Sequence, residues 1–327
     1  MTGYKPIFSA ANVEEILYCY KIFVMHCIKS NFDKVMYALK VVLGNDFPIG
    51  GNYLRREPKP LFTDMEVIAL SLTAEAMSID SECYLFAKLQ ANYSADFPHL
   101  ISRRQYNDRR KILFDVQEHV RAKMADTLND ITEVYVIDSM PLEICKISRM
   151  ERNKMGKEEE YSCPDKGYCA SQDKWFYGYK LHGVCSPSGV MQTIDLTRAS
   201  VHDNKYLYDV ASNLSDCLVV GDKGYITNKD DAKSLSIKEA GVCMEVPYRA
   251  NQKDKKPQMY VMKKIRKRIE TVFSQLCDQF MIQRNYAKSF TGYKTRILAK
   301  VSSMTVLQYL NKFVNNRPVG NLKYALM

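Results

Sequence analysis

At residue 131 the apolar residues change their period, and that change limits the possible folds more than any other feature of the chain. Before it, the spacing is helical. Residues 12–43 carry apolar side chains at helical intervals as far as Gly44, a helix stop. Pro48, Gly50, Gly51, Pro58 and Pro60 then mark a linker. Thr63, with Glu66 three places on and the apolar stretch Val67 to Leu72 behind it, has the form of a capping box. Further helices are expected over residues 79–90, 103–113 and 115–129, with no strand before 130. Residues 1–130 therefore read as an all-α domain.

From 131 the order is different. Glu133 to Asp138 is a short β-rich run, and a polar, charged stretch (148–174) connects it to the next elements. Phe176 to Val184 and Val190 to Leu196 are strand-like, joined by Ser186-Pro-Ser-Gly189 as in a hairpin. A helix over 204–214, a strand from Cys217 to Asp222, a helix over 228–240 ending at Gly241 and a strand over 242–246 follow. Helices over 259–282 and 291–314 complete the chain. Strand, strand, strand, helix, strand, helix, strand, helix is an α/β order. It predicts a ribonuclease-H-like mixed five-stranded sheet flanked by helices over 131–327, preceded by the all-α domain.

Charge follows the same division. The chain has 47 basic and 37 acidic residues, a formal net charge of +10. Residues 1–130 are balanced, so residues 131–327 carry the whole surplus. Such a surplus attracts nucleic acid or an anionic membrane. No run approaches the ~18 apolar residues of a spanning helix, and the start lacks the apolar core of a signal peptide. A cytoplasmic protein is expected. The ten cysteines include no C-x-x-C pair, and the five histidines do not join them at zinc spacing. Cys19, Cys27, Cys145, Cys217 and Cys243 lie in apolar stretches and read as small buried hydrophobes.

Three acids stand out. Asp138 and Asp222 each read as ending an apolar strand, where a side chain leaves the packed sheet and can meet a ligand. A strand-ending aspartate also serves simply to start a turn, and Lys223-Gly224-Tyr225 suits one. Glu270 lies beside the apolar stripe Ile265, Ile269, Val272 and Leu276 of its helix, with Arg266 one turn earlier. A surface ion pair is the plain alternative there. Three carboxylates on separate elements suit phosphoryl transfer on DNA, in which two Mg²⁺ ions ~3.5–4 Å apart activate the nucleophile and stabilise the leaving oxygen. Mn²⁺ would also fill such a site.

The motifs resemble those of bacterial insertion-sequence DDE transposases, and most closely insertion sequence family 982. Val136-Ile-Asp-Ser139 is similar to that family's first-Asp strand, and Trp175 to His182 to its second strand. Leu196 to Asp203 is similar to the segment before its helix, Val220-Gly-Asp-Lys-Gly-Tyr225 to its second-Asp motif, and Arg266 to Leu276 to its Glu helix. Leu61 to Phe86 resembles its amino-terminal part. The resemblance spans about three quarters of the chain. It implies a DNA transposase in which Asp138, Asp222 and Glu270 are catalytic metal ligands. Where the wider superfamily has Tyr three residues before the Arg and Lys seven after the Glu, this chain has Lys263 and Cys277.

Other residues bear on DNA. Arg249 to Arg268 holds Arg249, Lys253, Lys255, Lys256, Lys263, Lys264, Arg266, Lys267 and Arg268 against Asp254 alone, and leads into the Glu270 helix. Phosphate neutralisation accounts for it. Lys180 and His182 share a face of what reads as an edge strand and would approach a phosphate beside the metals, unless they are merely solvated. His202-Asp203 precedes a helix that Asp203 or Asn204 would cap, with a catalytic role as the alternative. Arg103-Arg104 and Arg109-Arg110-Lys111 suggest a helix-turn-helix reader of transposon ends, with a dimerisation unit as the alternative. Double-stranded DNA is the expected partner, and a homodimer would pair the two ends. The rival readings are a related nuclease without strand transfer and a DNA-binding protein that has lost catalysis.

Overall fold

A computed structural model describes residues 27–53, 58–129, 133–227, 231–248, 259–284 and 286–326. Five helices come first: α1 (Ile28–Leu43), α2 (Asp64–Ala76), α3 (Glu82–Asn92), α4 (Arg103–Ile112) and α5 (Phe114–Leu128). The part of the first expected helix before residue 27 lies outside the described residues. The capping box at α2 forms as expected. Thr63 Oγ1 accepts from the Glu66 amide at 3.2 Å, and Glu66 Oε2 accepts from the Thr63 amide at 2.7 Å.

The sheet follows, with strands β1 (Val134–Cys145), β2 (Asp165–Cys169), β3 (Lys174–Cys185) and β4 (Met191–Arg198). After it come α6 (Leu207–Asn213), β5 (Leu218–Val220), α7 (Ala232–Glu239), β6 (Cys243–Glu245), α8 (Tyr260–Asp278) and α9 (Phe290–Tyr309). The order across the sheet is β2-β3-β1-β5-β6, with β4 also paired to β3. β1 is antiparallel to β3 and parallel to β5, and β5 is parallel to β6, so the sheet is mixed as expected.

Three expectations need correction. The sheet has six strands rather than five, because β2 forms inside the polar stretch read as a connection. It pairs with the first residues of β3, where a single exposed strand face does not need an apolar run. β3 is no edge strand either: β1 lies on one side, and β2 and β4 lie end to end on the other. Finally, Asp138 falls within β1 rather than at its end. Among the cysteines, Cys217 is buried, but Cys243 is exposed at the start of the short β6.

The core explains why α9 is almost wholly buried although it is far from the helical half in sequence. It packs on α2 and α5, and its side chains join those of α1 to α5 and the α8 face of the sheet in one continuous apolar cluster. A second cluster lies on the opposite face of the sheet, between Ile137, Val184 and the side chains of α6 and α7. Ion pairs tie α9 and α4 to the other helices. Lys300 Nζ donates to Glu75 Oε2 at 2.6 Å with both side chains buried, and Arg109 Nη2 meets the buried Asp64 at 2.6 Å. Burial pushes Lys300 below the usual lysine range, and Glu75 partly offsets that.

Breaking one half of a buried pair strands a charge, which costs about 3–5 kcal/mol. Glu75→Leu alone should therefore lose roughly that much stability in denaturant unfolding. Glu75→Leu combined with Lys300→Met should recover most of it. A single variant as stable as the wild type would show that the pair does not hold α9 in place.

Candidate active site

The parallel and antiparallel neighbours of β1 end at different points. Its pairing with β5 covers only Val134 to Val136, the last pair being Val136 with Val220. Its pairing with β3 runs on to Cys145. From Ile137 onward one flank of β1 is therefore open, and the chain leaving β5 passes beside it through Gly221 to Asp222. Asp138 and Asp222 each stand two residues beyond that last pair, so the register lays them next to each other.

Electrostatics bears this out. Burial pushes the Asp138 carboxyl up to about 7, and the carboxylates of Asp222 and Asp203 push in the same direction. The Ser139 amide, which donates to Asp138 Oδ1 at 2.8 Å, and the nearby Arg266 oppose the rise. Asp222 also makes the turn that Lys223-Gly224-Tyr225 suggests, since its Oδ1 accepts from the Gly224 amide at 2.8 Å. The turn and the cluster are compatible, because the turn fixes where the carboxylate points.

The third acid in this cluster is Asp203, which from the sequence reads first as a helix cap, with catalysis as the alternative. The cap is in fact His202, whose Nδ1 accepts from the Asn204 amide at 3.3 Å. Asp203 Oδ1 instead accepts from Ser139 Oγ at 3.1 Å and from Lys180 Nζ at 2.9 Å. Its other oxygen lies close to Gly224, where an added Cβ would sit 3.3 Å from Asp203 Oδ2 and 2.9 Å from Asp222 Oδ1. Tyr225 completes the group. It is 2% exposed, and its hydroxyl has no hydrogen-bond partner among the described residues. Burial, then Asp138, Asp203 and Asp222, raise its ionisation well above the usual tyrosine range. The sequence signals for Asp203 were its place before a helix and its position at the end of the Leu196 to Asp203 segment that resembles the transposase family.

Glu270 stands apart from these three. α8 packs over β1 through Ile269, Val272 and Leu276, which are buried as the stripe predicts. Arg266 on that helix acts on Asp138, whereas Glu270, one turn further, is exposed. Among the described residues no three Asp, Glu, His or Cys side chains stand close enough to hold one metal ion. The donors nevertheless fit a hard dication: they are carboxylate oxygens, crowded enough to hold Asp138 partly protonated near neutral pH, with Arg266 as the cation acting on it.

The remaining expected residues divide by exposure. His182 is fully buried. Its Nε2 bonds Thr197 Oγ1 at 2.8 Å, its ring lies 5.0 Å from that of Tyr206, and burial pushes it down to about 4. It is neutral and turned away from solvent, so the expected DNA contact is withdrawn. Lys180 is held by Asp203 and by the Val201 carbonyl at 3.0 Å. Arg268 donates to the Ser188 carbonyl in the β3–β4 turn and lies against Gly189 and Gly320, so it braces that turn. Lys263, Lys264 and Lys267 are exposed on α8. Arg249, Lys253, Lys255 and Lys256 lie outside the described residues.

The carboxylates of Asp138 and Asp222 thus gather where a parallel pairing stops beside an antiparallel one, with the basic helix α8 packed over β1. The chain belongs to the transposase DDE domain family, whose model matches residues 130–305. Comparison with curated proteins and with solved structures gives no match. Members of this family generally use divalent metal ions, and DNA is the substrate the family implies. No helix among the described residues is long and apolar enough to cross a membrane.

The raised Asp138 has a consequence for stability. Unfolded, the carboxyl ionises near its ordinary value of 3.8; folded, it does so at about 7. Between those values the folded state holds the extra proton, so this group's contribution to stability falls as pH rises through that window. In chelator, the stability gap between Asp138→Asn and the wild type should widen in the variant's favour from about pH 5 to about pH 8. Millimolar Mg²⁺ should narrow it by stabilising only the wild type. A gap that ignores both pH and Mg²⁺ in denaturant unfolding would contradict the crowded-carboxylate description.

Proposed function

We propose that the protein is a DNA transposase of insertion sequence family 982 that cleaves DNA at the ends of its element and joins the freed 3′-hydroxyl to target DNA. The observation that carries this reading is the side-by-side placement of Asp138 and Asp222, in a chain whose residues 130–305 match the transposase DDE domain. Asp138, Asp222 and Glu270 are the proposed ligands of two Mg²⁺ ions, with Mn²⁺ as a substitute. Bound there, the ions would supply activation of the attacking hydroxyl and charge neutralisation at the phosphate.

The chain's own residues have distinct parts in this scheme. Asp138 and Asp222 would hold the dication, and Asp138, raised by burial and by Asp222 and Asp203, would have to be deprotonated to do so. Glu270 completes the set when DNA brings the exposed face of α8 against the carboxylates. Lys180 and Ser139 hold Asp203 in place, which fixes the edge of the site without contributing a ligand. The exposed Lys263, Lys264 and Lys267, with Arg249, Lys255 and Lys256 ahead of them, neutralise backbone phosphates. Residues 1–130 would serve end binding or dimerisation, and a homodimer would pair the two ends in the nucleoid.

Asp222→Asn tests the reading with little change of size. The Gly224 amide keeps an oxygen acceptor, so folding and binding to end DNA in a gel shift should survive. Cleavage with Mg²⁺ or Mn²⁺ should fall by at least about a hundredfold, the scale on which removing one charge-stabilising group acts. Cleavage near the wild-type rate would leave Asp222 as a turn residue only. Wild-type cleavage without strand transfer would favour a nuclease instead.

A further inference from the structure

A cavity of about 530 Å³ lies away from the carboxylates, between α3, α4 and the start of α9. Its walls carry five basic side chains, Arg103, Arg110, Lys111, Lys288 and Arg296, against two acidic ones, Asp80 and Glu82. The cavity also receives the amino-terminal end of α9. That 20-residue helix has no acid in its first turn to balance the partial positive charge there. Its amides at Phe290 and Thr291 precede the first possible intrahelical bond, while the Gly292 amide is capped by Ser289 Oγ at 3.1 Å. Lys111 reaches the same end: an added Cβ on Gly292 would sit 3.7 Å from its Cε.

Placing lysines at the positive end of a helix is unfavourable unless an anion is to be held there. The buried arginines point the same way. Arg110 is 5% exposed, and among the described residues its Nε and Nη2 have no hydrogen-bond partner. The carboxylate available to it is already committed: Glu82 accepts from Arg110 Nη1 at 2.8 Å and from Asn107 at 3.0 Å, and lies 4.0 Å from Arg103. Arg296, also buried, donates from Nη2 to the Asp80 carbonyl at 2.8 Å, and its Nε has no partner. The Asp80 carboxylate lies 3.8 Å from Arg284. Lys111 also lies 3.5 Å from Asp108, and Arg110 and Arg296 lie over the rings of Tyr106 and Tyr286. Asp80 Oδ2 lacks a hydrogen-bond partner among the described residues. The five cations lining the cavity still outnumber its two acids.

We infer that this cavity is a second phosphate-binding site, which takes a backbone phosphodiester of the DNA held by the enzyme. Lys111, Lys288 and Arg103 would contact the phosphate beside the positive end of α9, with Arg110 and Arg296 adding charge from behind. Position favours DNA over a free anion. Phe290 and Tyr293 of α9 both stack on Tyr179 of β3 with ring centroids 5.3 Å apart, so the cavity is tied to the strand that pairs with β1. Tyr179 lies four residues along β3 from Gly183, the residue opposite Asp138. At ~3.3 Å per residue this sets Tyr179, on which the start of α9 packs, about 13 Å along the strand from the residue opposite Asp138. The inference rests on the DNA-processing reading above, and it gives Arg103, Arg110 and Lys111 of the first basic helix a use other than reading bases.

The test is the salt dependence of binding to a labelled duplex, for the full-length wild type and for Lys111→Gln with Lys288→Gln. Both lysines reach the surface, and equal denaturant midpoints would show that the fold is kept. The double variant should lose about 0.9 in the slope of log K against log salt for each contact removed. Lys154→Gln with Lys238→Gln, both exposed and outside the residues assigned to DNA, should leave the slope unchanged. An unchanged slope in the Lys111/Lys288 variant, with wild-type binding intact, would overturn the pocket but not the transposase reading. A wild type with no affinity for duplex would overturn both. Inorganic phosphate at millimolar concentration is the second arm. Should it stabilise the wild type but not the variant while the DNA slopes match, the site serves a free anion and the inference fails.

Discussion

The candidate site depends on one mismatch of length in the sheet. β5 supplies three residues of pairing to β1, and β3 continues for eight residues beyond that point, from Val184 to Tyr177. Backbone groups left unpaired inside a protein must find partners or water, so the open flank of β1 is the natural place for a polar site. It is also where the two aspartates arrive together. A longer β5 would carry Asp222 into the ladder and bury it against β1, and a one-residue slip would turn Asp138 to the opposite face.

The same mismatch explains the charge state of the site. The sheet and α8 exclude water from Asp138, while Asp222 and Asp203 bring like charge towards it. Packing side chains alone do not relieve that crowding. Arg266 does so in part, and Tyr225 lies against the cluster with its hydroxyl unpaired. A buried unsatisfied group and a carboxylate held away from its ordinary ionisation are both costly, and both are tolerated more often at functional sites than elsewhere.

Much of this was legible in the sequence. Period-two apolar runs marked five of the six strands, and Thr63 with Glu66 located a helix start to the residue. Asp138 and Asp222 were visible because each follows apolar residues on one face of a strand. β2 was not visible, since its sequence Asp-Lys-Gly-Tyr-Cys has no apolar alternation and it forms only against β3. Asp203 was hidden because its partners, Ser139 and Lys180, come from other strands 64 and 23 residues away. His182 misled for the converse reason: a polar residue on a strand suggests solvent, but β4 and Tyr206 cover it. Arg109 and Arg110 turned inward to Asp64 and Glu82 because the acids that receive them lie on other helices.

The central claim is that Asp138 and Asp222 hold a metal ion together with Glu270, rather than with the nearer Asp203. Replacing Mg²⁺ by Fe²⁺ in the DNA-bound enzyme and adding ascorbate generates hydroxyl radicals at the ion, which cut the polypeptide close to its ligands. Mapping the fragments by mass spectrometry should give cuts beside residues 138, 222 and 270, all lost when excess Mg²⁺ competes. Cuts beside 138, 222 and 203 without any at 270, or none that Mg²⁺ suppresses, would contradict the account.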